Sequence, residues 1–487
     1  PSPLYSLAAK RINLNWNIAS AGKNSVIQLA STTLNAESYV GITNGVVDYD
    51  VGPDSVGSPV VFETSYALYN KVIFDTNSNR VVVSYRDNGN STYGTAVVGT
   101  VNPANNSISF GTPVVYASET TSYQGGCFDS NSNKVVLLWQ AGAGKSIVGT
   151  VNPANNSISF GSAVSFDSVG NGAYYISAAF DSSNNKVVIG YADAMNDFQM
   201  YGTAIVGTVS GTSISFGSAV VFKTSVSRYM ATTFDSSNNK VVIAYRDDSN
   251  SNAGTAIVGT VSGTNISFGT AVVFKANSVN SDAMSSAFDS NSNKVVITYK
   301  DNSNNYGTAS VGTVSGTGIS FGTPVVFNAG TTDMISNAFD STINKIVIAY
   351  RDRSNSDYGT VIVGTVSGTA ISFGSELVFS NATYSQIGNA FDSNSNRSVI
   401  AYADNGNSSY GTAVVFQPAF DNTVRGEVAS GSTAIIQAGG AVNTLQTGLT
   451  PGQQYFVQTD GTLSLTAGSP SVLAGTAVSA TDLIVKG

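Results

Sequence analysis

The chain has 487 residues and carries 30 Asp and Glu against 22 Lys and Arg, a net charge of −8 that argues against a nucleic-acid partner, since phosphate backbones are met by clustered cations. Histidine is absent and Cys127 is the sole cysteine, which removes Ser-His-Asp triads, Cys-His pairs, the usual zinc sites and internal disulfides together. No apolar run approaches the ~18 residues of a membrane span, so no membrane insertion is expected.

Residues 1–45 stand apart from the rest of the chain. Ile12, Leu14, Trp16 and Ile18 alternate with Asn13, Asn15 and Asn17, which predicts a strand over Lys10–Ala19, and Glu37–Thr43 is a second strand candidate. From 46 to 418 the chain repeats itself. A Phe-Asp pair recurs at Phe74/Asp75, Phe128/Asp129, Phe180/Asp181, Phe234/Asp235, Phe288/Asp289, Phe339/Asp340 and Phe391/Asp392, a spacing that signals a solenoid, propeller or array. In the copy Met284–Phe327, Ser286–Phe288 runs into the turn Asp289–Asn293, and Lys294–Tyr299 returns as a β-branched run. Gly307–Val314 comes after a loop, and the turn Ser315–Thr317 opens the strand Ile319–Phe327.

Four short antiparallel strands repeated seven times predict an all-β fold, a seven-bladed β-propeller. The Phe-Asp strand is placed innermost because small residues crowd around it, as at Gly125/Gly126, Ser285/Ser286 and Gly388/Asn389. The last copy lacks a fourth strand, and Gly57–Phe62 (GSPVVF) is its missing counterpart. An N-terminal strand therefore closes the ring and removes two unpaired edges. Residues 419–487 change character again. Thr433–Gln437, Gln454–Gln458, Val472–Val478 and Leu483–Lys486 are short apolar runs separated by marked turns, and they predict a small β domain.

The chemistry-bearing residues mostly repeat with the blades, as structural elements do. The Phe-Asp aspartates begin a tight turn that they cap, and Asp87, Asp193, Asp247, Asp301, Asp352 and Asp404 recur after the second strand in a loop-capping or ion-pairing role. One Asp per loop is a weak calcium signal, and no catalytic residue, metal or cofactor is assigned. The loops joining strands two and three, and the crossovers between blades, differ most between copies, and function concentrates on loops held by a rigid frame. Two blades depart furthest: Trp139 replaces the repeated Tyr ahead of Lys145, and the third carries a longer loop with Asp197 and Phe198. With Tyr174, Tyr175 and Tyr229 in adjacent crossovers, these residues form the candidate ligand site, rings for sugar C–H faces with polar groups for hydroxyls.

The stretches Gly448–Ser464 (GLTPGQQYFVQTDGTLS) and Ala474–Gly487 (AGTAVSATDLIVKG) resemble C-terminal modules of tail-fibre and appendage proteins from marine and cyanobacterial phages. There, a segment similar to Ala36–Thr43 leads directly into one similar to Gly431–Val442; here the repeats separate them, so residues 34–45 are expected to fold with the C-terminal module. The resemblance implies a virion or extracellular location and self-assembly, or assembly with other virion proteins, through residues 10–19 and 421–487. The expectation is a non-enzymatic adhesin whose propeller binds a host-surface glycan or protein. A structural filament subunit is the alternative, and a glycan hydrolase using paired carboxylates a third.

Overall fold

The computed structural model describes residues 54–419 except 168–171, 195–198 and 384–386; the side chains of 280–283 are also outside the description. Beyond that span it describes the strands Ile12–Asn13, Ser25–Leu29, Val40–Thr43, Val46–Tyr49, Thr433–Gln437 and Val442–Asn443, together with residues 448–457, 463–466, 473–480 and 483–485. The chain divides into two units, Asp54–Pro418 and a second made of Pro1–Pro53 with Ala419–Gly487.

In the first unit each repeat forms one antiparallel sheet. In the copy that starts at Met284, the inner strand pairs with Lys294–Asp301 through Phe288↔Val295, and that strand pairs with Tyr306–Ser315 through Val296↔Val311. The Phe-Asp turn closes as its sequence predicts. The Asp289 carboxylate accepts the backbone N–H groups of Asn291 and Ser292 at 2.9 and 3.0 Å, and Asn293 takes the left-handed conformation at φ 55°. The same bonds recur at Asp75, Asp129, Asp181, Asp235, Asp340 and Asp392.

The outermost strand differs from expectation. Instead of one run over Ile319–Phe327 there are two segments, Gly318–Phe321 and the start of Val325–Asp340, both paired to Tyr306–Ser315. The break falls at Gly322, where a Cβ would lie 2.0 Å from the Thr369 carbonyl oxygen in the next repeat's turn. Only glycine lets two backbones approach so closely. The long strand then crosses over: Val325–Asp340 begins at the edge of one sheet and ends as the inner strand of the next.

Apolar cores lie between neighbouring sheets. Val296 and Val311 of one sheet meet Ile346, Ile348 and Tyr350 of the next, all but fully buried, each contributing about 1.5–3 kcal/mol. Tyr350 packs against Phe327 with ring centroids 5.2 Å apart, a pairing repeated as Phe274–Tyr299 and Phe379–Tyr402. The chain ends of this unit also meet. Val60 and Val61 pair with Ala413 and Thr412, and the Arg397 guanidinium donates to Asn106 Oδ1 at 2.7 Å and to the Pro103 carbonyl. Antiparallel sheets packed face to face in this way make the unit a β-propeller.

In the second unit Ile12–Asn13 pairs parallel with Val40–Thr43, which pairs with Val46–Tyr49. Ser25–Leu29 pairs with Thr433–Gln437, a bond between the two ends of the chain. A five-stranded sheet contains Gln454–Val457, Leu473–Ala477 and Leu483–Val485, within the predicted runs. The remainder of the predicted strand Lys10–Ala19, and residues 37–39 of the second, lie outside the described residues.

Candidate functional site

Five residues before Phe-Asp, four successive copies place a tyrosine: Tyr69, Tyr123, Tyr175 and Tyr229. Each has a positive φ, between 49° and 57°, as does Met334 at the same register. Each sits where the pairing of the inner strand slips, for example between Ser122 and Gly125 and between Arg228 and Ala231. These are bulges, which re-aim a side chain. A non-glycine residue held left-handed costs about 1–3 kcal/mol, so the neighbouring sheet must over-determine the position.

The tyrosines line one side of a cavity of about 240 Å³ bounded by all the Phe-Asp strands, with Met284, Met334 and Ile387 on the other side. Their rings form an arc: Tyr69–Tyr123 centroids are 5.8 Å apart, Tyr123–Tyr175 4.9 Å and Tyr175–Tyr229 4.3 Å. Tyr174 joins it, 5.3 Å from Tyr123. Arg86 lies over the Tyr69 ring at 5.1 Å and Arg246 over Tyr229 at 4.9 Å, bracketing the arc with cations. Burial, with Tyr69 beside it, raises the Tyr123 phenol, and burial with a hydrogen bond to Tyr229 raises Tyr175. Both therefore remain neutral hydroxyls. Thr232 Oγ1 and Ser286 Oγ, on strands that line the same cavity, are buried without a hydrogen-bond partner.

A second departure from the repeat lies on the same rim. Outward of the arc, Asp193 pairs in register with Ala173, next to Tyr174 and Tyr175. In two other repeats the corresponding aspartates hold a lysine, Lys223–Asp247 at 2.7 Å and Lys275–Asp301 at 2.6 Å. Here the lysine position is Asp167. Burial, reinforced by the Asp167 charge, pushes the Asp193 carboxyl up to about 6, and its Oδ1 is buried without a partner. The other loop aspartates cap as predicted, Asp87 accepting from Gly89 and Asn90, and Asp352 from Ser354 and Asn355. No group of three or more metal-ligating acidic or thiol side chains occurs among the described residues.

The residues singled out from the sequence divide. Tyr174, Tyr175 and Tyr229 come together in the arc. Trp139 does not reach a surface: it is 1% exposed, packs on Tyr116 at 5.3 Å and donates its indole N–H to Glu119. It replaces the core tyrosine of the other repeats, and a larger aromatic at that position adds to the inter-sheet core rather than to the rim. Lys145 is engaged by the same Glu119 at 2.7 Å. Asp197 and Phe198 lie outside the described residues. Tyr69 and Tyr123 belong to the arc although neither is among the candidates drawn from the sequence; their signal there is a tyrosine at fixed offset from the recurring Phe-Asp pair.

No protein-family model matches the chain, and no curated protein is similar to it. Solved structures are. The sialidase NanB with Optactamide is similar at 11% identity and a TM-score of 0.44, covering 74% of this chain and 70% of that one. The periplasmic gluconolactonase PpgL of Pseudomonas aeruginosa is similar at 12% identity and a TM-score of 0.47, covering 63% and 84%. These neighbours are propeller hydrolases, which corrects the expectation of a non-enzymatic adhesin or appendage subunit: nothing among them supports attachment. At such low identity the likeness is one of fold.

Proposed function

We propose that the protein is a seven-bladed propeller enzyme that takes a small hydroxylated ring compound, a saccharide unit, into the tyrosine-lined axial mouth and hydrolyses a bond to it. The blade count is supported by one apolar core per neighbouring pair of sheets, the last joining Val399 and Val415 to Val72 and Val83. Closure by the N-terminal strand is supported by the pairing of Val60 and Val61 with Ala413 and Thr412.

The observation that carries the reading is the arc of four tyrosines held left-handed at one register. Tyrosine presents a flat face for C–H groups and a hydroxyl for hydrogen bonding, and strained backbone concentrates at sites of function. Asp193 supplies the reactive group. A carboxyl that keeps its proton to about pH 6 can give it to a departing oxygen near neutrality, while water adds to the carbon that the oxygen leaves and its released proton restores the acid. The resemblance of the C-terminal module to appendage proteins supports a location on a virion or outside the cell, with residues 34–45 and 419–487 as one flanking module.

The test is saturation-transfer NMR against a panel of mono- and oligosaccharides, with release of reducing ends measured in parallel. Tyr175→Ala and Tyr229→Ala are expected to abolish saccharide contact. Asp193→Asn is expected to abolish turnover while leaving contact intact. Saccharide contact unaffected by either tyrosine variant would refute the assignment of the mouth.

A further inference from the structure

Three residues before Phe-Asp, the inner strands carry Lys71, Gly125, Ser177, Ala231, Ser285, Ser336 and Gly388. All seven line the axial cavity. Six are among the smallest side chains, and one is among the longest. The space that the six leave along the axis is where the Lys71 chain runs, and Lys71 also lines a second cavity toward the Phe-Asp end of the same strands. It is the one charged side chain among the described residues lining either cavity.

An ammonium so placed lacks its usual complement. No carboxylate shares either cavity, and Lys71 makes no ion pair among the described residues. Its titratable neighbour is Cys127, whose thiol burial pushes up to about 12, so that it stays neutral and offers no counter-charge. Burial holds the Lys71 ammonium below the ordinary lysine range. An unpaired buried cation is costly, and a carboxylate bound beside the amine would favour the ammonium form and supply the missing counter-charge. Thr232 and Ser286 are among the residues that line the mouth cavity, and their hydroxyl oxygens are also buried without partners.

We propose that Lys71 is the anion-binding floor of the axial mouth, and that the ligand is a small ring compound bearing a single carboxylate, which descends between the small residues to the ammonium while the ring lies against the tyrosines. The charge count favours one negative group: there is one cation and no second within the lining. The inference rests on reading the mouth as a ligand site, and narrows its substrate class from saccharides at large to acidic ones.

The experiment uses the full chain with carbon-13-labelled lysine, the Lys71 signal being identified by its loss in Lys71→Met. Acetate, glucuronate and methyl glucoside are titrated separately, and thermal melts check that the variants fold. The Lys71 signal is expected to move saturably with acetate and with glucuronate, glucuronate saturating at about tenfold lower concentration because its ring adds contacts. Lys71→Met is expected to lose the preference for glucuronate over methyl glucoside, and Lys71→Arg to retain it. A Lys71 signal that responds to acetate no more than the surface lysines do overturns the proposal, as does equal binding of glucuronate and methyl glucoside to the wild-type chain. Saturable acetate with glucuronate no tighter would leave the anion site standing and remove the saccharide reading of the mouth.

Discussion

Replacing Asp167 by lysine should repair a flaw that the repeat itself does not contain. At the two positions that keep the lysine, the ammonium sits 2.6–2.7 Å from the loop aspartate. Burial works to raise Asp301, but the hydrogen bond from Lys275 and those from Ser303 outweigh it, and the carboxyl is lowered. Asp193 has the burial without the cation and is raised from 3.8 to about 6. Its folded-state value thus lies above the unfolded one, and between these two values the folded protein holds more protons. Stability from this group is present at low pH and is lost as pH rises toward about 6, with the full penalty above it. A displacement of this size corresponds to about 3 kcal/mol at the limit, and screening at the rim reduces it to about 1–2 kcal/mol. Asp167→Lys removes that penalty and adds an attraction. Differential scanning calorimetry should show the variant melting about 1–4 °C above wild type at neutral pH, with the gain shrinking toward about pH 4 as Asp193 takes its proton in wild type and the penalty disappears. A gain that is equal at both ends of the range, or absent at neutral pH, would refute the reasoning.

Other outcomes rest on the same geometry. Gly217→Ala places a Cβ 2.0 Å from the Thr264 carbonyl oxygen and should cost about 1–3 kcal/mol in denaturant melts, whereas Gly374→Ala, whose nearest atom is 3.8 Å away, should cost far less. Tyr350→Phe removes a hydroxyl donating to Glu376 at 2.6 Å and should destabilise by about 1 kcal/mol; Tyr245→Phe removes one with no partner and should be neutral or stabilising by the same melts. Arg397→Ala cuts the bonds to Asn106 and Pro103 that tie the last repeat to the first. It should destabilise by about 2 kcal/mol and raise amide exchange preferentially along Val60–Val61 and Thr412–Ala413.

The repeat, its strands and its turns are legible in the amino-acid order because each depends on local chemistry: β-branched alternation, aspartates that cap their own backbone, and small residues where strands converge. The placement of Val60–Phe62 beside the last copy was legible for the same reason, since a missing strand and a spare one share a pattern. Where side chains at equal sequence positions come to lie is settled instead by packing between distant segments. Trp139 reads like a surface aromatic on a variant loop, yet a core position absorbs it. Four tyrosines separated by more than fifty residues each converge on one cavity because bulges turn them there, and a register slip leaves no mark in composition. Lys71 is one residue among seven unremarkable ones until the ring brings the other six around it; proximity across an axis is a property of closure, which no local pattern encodes.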